Sequence, residues 1–148
     1  MATDLPGSPG PATLECGQAL RPSTGGVLTV TAHFPGAVSA DQQMVKGTVA
    51  VMASKGVARG VVTPQAEAFL VRDGRIVTLP APQDAVGRSL DLAHGRVERM
   101  PAIATLVPCS GGGALAEGTY DLYVRVVLNH DDGTRVDSLG GPWRLEVR

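Results

Sequence analysis

Residues 117–148 read EGTYDLYVRVVLNHDDGTRVDSLGGPWRLEVR, and the reading of this stretch decides the fold class. Tyr120, Leu122, Val124, Val126 and Leu128 fall on one side of an alternation. Thr119, Asp121, Tyr123 and Arg125 fall on the other, with Val127 as the one aliphatic exception. Apolar residues at every second position mark a half-buried β-strand, because successive side chains of an extended backbone point to opposite faces. Residues 129–134 then supply Asp-Gly turn chemistry, after which Trp143, Leu145 and Val147 alternate with Arg144, Glu146 and Arg148. Two such strands around a polar turn predict a hairpin. The stretch specifies structure and holds no catalytic motif.

Upstream, 27–34 (VLTVTAHF) is β-rich and ends at Pro35-Gly36, and 45–53 (VKGTVAVMA) alternates again. Residues 67–71 and 75–79 flank Arg72-Asp73-Gly74, a short hairpin tip where glycine takes the left-handed conformation. Residues 97–107 are extended with Pro101 inside, and a proline there belongs at an edge or bulge. Residues 12–20 suggest a short strand carrying Cys16, 37–43 a polar connection, and 84–92 at most one turn of helix between Gly87 and Gly95. Seven to eight strands separated by turn signals predict an all-β chain that folds as a β-sandwich. Residues 1–11 (MATDLPGSPGP) read as a flexible lead-in.

A chain of 148 residues is long enough to bury one proper core. With 43% hydrophobic but only 3% aromatic residues, that core is built mostly from Val, Leu and Ala. The net charge of −1 argues against nucleic acid and anionic membranes as partners, since both require a basic field. Arginine outnumbers lysine 11 to 2, which reads as base-composition bias rather than a phosphate-binding surface. No stretch approaches the ~18 apolar residues that span a bilayer, so direct membrane insertion is not expected.

Two cysteines occur, Cys16 and Cys109, separated by 93 residues. They are either two separate buried thiols or one disulfide. Both sit beside turn residues rather than inside apolar strands, which favours the disulfide and with it an oxidising compartment. In the chain-entropy treatment such a bond stabilises the fold by about 4–5 kcal/mol, less any strain.

Several of these segments carry a resemblance. VKGTVAVMASKG (45–56), AEAFLVRDGRIVTLP (66–80), LDLAHGRVERM (90–100) and AEGTYDLYVRVVL (116–128) resemble the B, C–C′, E and F strands of bacterial immunoglobulin-like domains, a resemblance over 12–148 that implies an immunoglobulin-like antiparallel β-sandwich. Gly118-Thr119-Tyr120 is similar to the opening of their F strand, which implies a structural role for Tyr120 as a corner clamp. Cys109 with a partner near the N-terminus resembles small domains of secreted or lipid-anchored actinobacterial proteins. A looser likeness is to the immunoglobulin-like intracellular proteinase inhibitor domain. Trp143 lies near the last strand and Cys16 precedes the first clear one, so the antibody arrangement of Trp and cysteines is not matched. Trp143 is expected to be structural.

What the resemblance implies is a secreted or cell-surface module, its leader or lipid anchor removed, that binds a protein or cell-surface ligand and is not an enzyme. A proteinase inhibitor of the same fold is the alternative, with 81–88 or 110–117 as its loop, and a structural module of a larger surface assembly is the third reading. If 45–53, 67–71 and 118–129 are strands B, C and F, the B–C connection and the F–G turn share one end of the sandwich. That end gathers Lys55 and Arg59 with His130, Asp131 and Asp132 as candidate partner-binding residues. No cofactor is expected, and no metal: calcium takes six to eight oxygens, and one turn with two aspartates falls short. His33 and His94 read as exposed strand and turn residues. None of Ser89, Ser110 and Ser138 lies in a G-x-S-x-G elbow.

Overall fold

A computed structural model describes residues 14–20, 27–54, 56–81, 87–93, 95–111 and 113–148. Among these residues the protein is all β, with no helix. The strands are β1 (Leu28–His33), β2 (Ala37–Val38), β3 (Met44–Ala53), β4 (Ala58–Val62) and β5 (Ala66–Arg72), followed by β6 (Arg75–Ile76), β7 (Arg88–Leu92), β8 (Val97–Thr105), β9 (Gly118–Asn129) and β10 (Arg135–Val147). They form one mixed sheet in the order β1-β3-β8-β5-β9-β10-β2, with β6 on β5 and β4 joining β7 to β9. The sheet curls into a half-barrel rather than forming the two antiparallel layers expected.

Departures from the sequence reading arise where segments distant in the chain meet. The pairings of β5 with β8 and of β10 with β2 are parallel, and parallel neighbours leave no hairpin signal. Residues 88–92 are a strand whose Leu90 and Leu92 are buried against β4, so packing overrides the helical turn expected there. Residues 37–38 and 135–140 also extend into strands, the latter ahead of a register shift between Gly140 and Trp143. Of the expected strand over 12–20, the described part is a turn at Cys16 and a single bridge from Ala19 to Arg75. Residues 1–13, and with them the lead-in, lie outside the described residues.

The curl brings the first strand back onto the hairpin. Leu28 N–H donates to Ser138 Oγ at 3.2 Å, and Ser138 is buried. Gly140 sits so close to β1 that a Cβ there would stand 2.5 Å from the Val30 carbonyl oxygen. The interior between these walls holds the main core, which includes Val49, Val51, Leu70, Met100, Leu122, Val124 and Leu128. Trp143 is half-buried at its margin. At Pro101, β8 has β3 on one flank, and its pairing with β5 begins one residue later. The missing N–H therefore interrupts no ladder between β8 and β5.

Strand β5 is buried on both faces, as its unbroken run Ala68-Phe69-Leu70-Val71 requires. Ala68 and Leu70 point into the main core, whereas Phe69 and Val71 join Ile76 and Tyr123 in a second cluster outside it. Phe69 and Tyr123 are cross-strand partners whose rings stack with centroids 6.0 Å apart. Leu14 and Leu20 of the N-terminal segment cover them, and the Cys16–Cys109 disulfide ties that segment down. Beside this cluster Arg125 reaches Glu67 on β5 at 2.9 Å and Asp137 on β10 at 3.7 Å, bridging three strands on the outer face.

The β5–β6 turn has positive φ at both central residues, Asp73 (54°) and Gly74 (77°), the geometry that matches the twist of a two-residue hairpin. Its Arg72 lies over the Tyr120 ring, 5.0 Å from the centroid, and donates to Tyr120 Oη at 3.1 Å. Tyr120 Oη in turn donates to the Ala116 carbonyl at 2.5 Å, four residues upstream. Tyr120→Phe removes that link and is expected to destabilise the fold by about 1 kcal/mol. Ser138→Ala leaves the buried Leu28 N–H without its acceptor and is expected to cost about 1–3 kcal/mol. Urea midpoints measured side by side check both, and an unchanged Ser138→Ala midpoint would mean that β1 is not held through this bond.

Candidate functional site

The long β9–β10 hairpin ends in a turn built by its own polar residues. His130 N–H donates to the Thr134 carbonyl at 2.8 Å and Gly133 N–H to the His130 carbonyl at 2.9 Å. Asp132 Oδ1 accepts from the Thr134 N–H at 2.9 Å and from Thr134 Oγ1 at 2.6 Å. These bonds hold the carboxylate's pKa below its ordinary value, the side-chain bond from Thr134 being the largest cause. Asp131, Asp132 and Gly133 are exposed.

Strand β4 reaches this turn through a single register pair, Val61 with Asn129. Gly60 makes the approach possible: a Cβ there would lie 2.1 Å from the Asn129 carbonyl oxygen. Arg59 is thereby carried to the turn, and an open concavity of about 420 Å³ is lined by Val57, Arg59, His130, Asp131 and Asp132. Arg59 Nε donates to Asp91 Oδ1 at 3.0 Å, and the two are cross-strand partners on β4 and β7. Both side chains are about two-thirds exposed (66% and 67%), so the pair orients Arg59 more than it stabilises the fold.

Four of the five predicted partner-binding residues, Arg59, His130, Asp131 and Asp132, therefore meet at one concavity. Lys55 lies outside the described residues, as do His94 and residues 82–86 of the expected inhibitor loop. Arg59 stands on a strand, not in the loop expected between the second and third strands. Sequence reasoning missed Val57, which is 54% exposed, and Asp91. The signal for Asp91 was present: once 88–92 is read as a strand, Leu90 and Leu92 face inward and Asp91 faces out beside Arg59.

Among the described residues no group of His, Cys, Asp and Glu is placed to hold a metal ion. No helix among them is long and apolar enough to cross a membrane. At the opposing hairpin Arg72 is engaged by Tyr120, and Arg75 Nη1 donates to the Gly17 carbonyl at 3.0 Å. Those arginines serve the fold.

No protein-family model and no curated protein matches the sequence. Among solved structures, the chain is similar to the sporulation control protein Spo0M from Bacillus subtilis, with 19% identity and a TM-score of 0.44. The match covers 83% of this chain and 50% of Spo0M, so the chain spans about half that protein's length. The structural-genomics target SoR45 matches with 10% identity over 80% of this chain and 84% of that one, at a TM-score of 0.45. The CARDB domain of the Pyrococcus furiosus PF1109 protein, solved with di-metal ions, matches with 15% identity over 92% and 97%, at a TM-score of 0.39. All three are distant likenesses, and none carries an argument about function.

Two measurements test the built geometry. Gly60→Ala is expected to cost about 1–3 kcal/mol by forcing β4 off the Asn129 carbonyl, as an overpacked contact does. Denaturant titration reads that loss, and an unchanged midpoint would remove Gly60 as the reason Arg59 meets the turn. Thr134→Ala is expected to raise the Asp132 pKa toward its ordinary value, followed by carboxyl NMR titration. Because the folded pKa is lowered, the turn's bonds to Asp132 are present above the ordinary carboxylate pKa and lost as pH falls through the lowered one.

Proposed function

We propose that this chain is a non-enzymatic binding module of the bacterial immunoglobulin-like kind, working outside the cell or at its surface. The observation that carries the reading is the concavity where Arg59, His130, Asp131 and Asp132 converge around the exposed Val57. Fold alone never assigns a function; the chemistry of a particular site does. Asp91 already balances the Arg59 charge, which leaves Asp131 and Asp132 as an acidic lip beside an apolar surface. A partner suited to it is a protein surface offering basic side chains around one apolar contact, bound reversibly through polar, solvent-accessible groups. The Cys16–Cys109 disulfide supports an oxidising location.

A second reading, proteinase inhibition, draws on 110–117, of which Gly112 lies outside the described residues. Cys109 is tied by its disulfide and donates its N–H to the Val77 carbonyl at 2.9 Å, while the Ala116 carbonyl is held by Tyr120. Ser110, Gly111, Gly113 and Ala114 stand exposed between these anchors. A protease panel separates the readings, since an inhibitor blocks one enzyme without being cut. A structural role in a larger surface assembly is the third reading.

Arg59→Glu and the double change Asp131→Ala, Asp132→Ala are expected to lower the melting temperature only slightly, because the Arg59–Asp91 pair and the Asp132–Thr134 bonds they remove are solvent-exposed. Both are expected to lower affinity at least several-fold for a partner recovered with the unaltered protein, as changes to charged contacts at an interface do. Unaltered affinity in both variants would move the site elsewhere on the molecule.

A further inference from the structure

Segment 14–20 lies as a strap over the second apolar cluster. Its backbone pairs with β6 and the adjoining turn: Gly17 N–H donates to the Ile76 carbonyl at 2.8 Å, Ile76 N–H to Gln18 at 2.9 Å, and Leu20 N–H to Gly74 at 2.9 Å. Leu14 and Leu20 of the strap, beside Leu79 and Leu139, pack on Phe69, Val71, Ile76 and Tyr123, a cluster on the opposite side of the sheet from the main core. Cys16 is exposed and Cys109 half-buried, so the bond that ties the strap to the 109–117 segment lies within reach of an external thiol.

We propose that the Cys16–Cys109 disulfide is a redox latch: its reduction frees the strap from β6 and bares the apolar face of Phe69, Val71, Ile76 and Tyr123 while the half-barrel stays folded. The two states differ locally because the strap contributes to the outer cluster and not to the main core. A few backbone hydrogen bonds and two leucines hold a short segment at the open end of the scale of local stabilities. The crosslink is what keeps these contacts from opening. The reductant is a dithiol. Its thiolate attacks the exposed Cys16 sulfur, the sulfur–sulfur bond breaks, and Cys109 leaves as a thiolate that takes up a proton. The donor's second thiol then attacks the mixed disulfide and releases Cys16. Two electrons pass to the protein, which gains two thiols, and the donor becomes a disulfide.

Amide hydrogen exchange on the full 148-residue chain, before and after treatment with dithiothreitol, tests the latch. Exchange at Gly17, Leu20 and Ile76 is expected to accelerate about tenfold or more, while the β9 amides keep their rates, as local opening requires. Binding of an apolar dye should rise in parallel, Trp143 emission should stay unchanged, and reoxidation should restore the first state. Cys109→Ser should reproduce the reduced state. If that variant fails to fold, the reduced form of the already folded protein still decides. Strap amides that exchange at one rate in both redox states would overturn the proposal. So would β9 amides that accelerate in step with the strap, which would make the disulfide a staple of the whole fold.

Discussion

Strand β9 is hydrogen-bonded on both flanks and buried along the whole of its inner face, and the rest of the molecule depends on that constraint. It pairs with β10 along nearly its whole length, with β5 through Glu67–Val71, and with β4 at Asn129. Tyr120, Leu122, Val124, Val126 and Leu128 point into the half-barrel, while Tyr123 and Arg125 anchor the outer face. A slip of one residue would turn Asp121 and Arg125 inward and Leu122 and Val124 outward, so the register admits no neighbour. The turn at 130–134 inherits its place from that register.

The candidate site is then a consequence of where β9 ends. Gly60 lets β4 touch the last residue of β9, and the pairing of β4 with β7 sets Asp91 opposite Arg59. The charges at the concavity are thus positioned by backbone ladders rather than by packing of their own side chains. Such residues are free of core duties, which suits a surface that meets a partner reversibly.

Scarce aromatic residues are spread over two faces of the sheet. Tyr120 and Trp143 belong to the main core, whereas Phe69 and Tyr123 stack outside it. The cover of that outer cluster includes, beside Leu79 and Leu139, Leu14 and Leu20 from a segment far away in the chain and tied down by one covalent bond. The outer cluster and its disulfide therefore lie on one face of the sheet, apart from the interior.

The alternation in 120–128, the Asp-Gly tips at 73–74 and 132–133, and the inward Tyr120 were legible because they are local: a period of two and a turn residue act within a few positions. The all-β class followed from them. The pairing of Cys16 with Cys109 was legible as the favoured of two readings, from the turn residues beside each. The juxtaposition of Arg59 with His130, Asp131 and Asp132 could be inferred only through an assumed topology. Tertiary structure decided the rest. The parallel contacts of β5 with β8 and β10 with β2 join segments whose own sequences carry no mark of each other. Residues 88–92 became a strand because β4 offers a partner that buries Leu90 and Leu92. Whether the sheet closes as two layers or curls as one depends on contacts between distant edges, such as Leu28 with Ser138, and no pattern along the chain encodes a distance between edges.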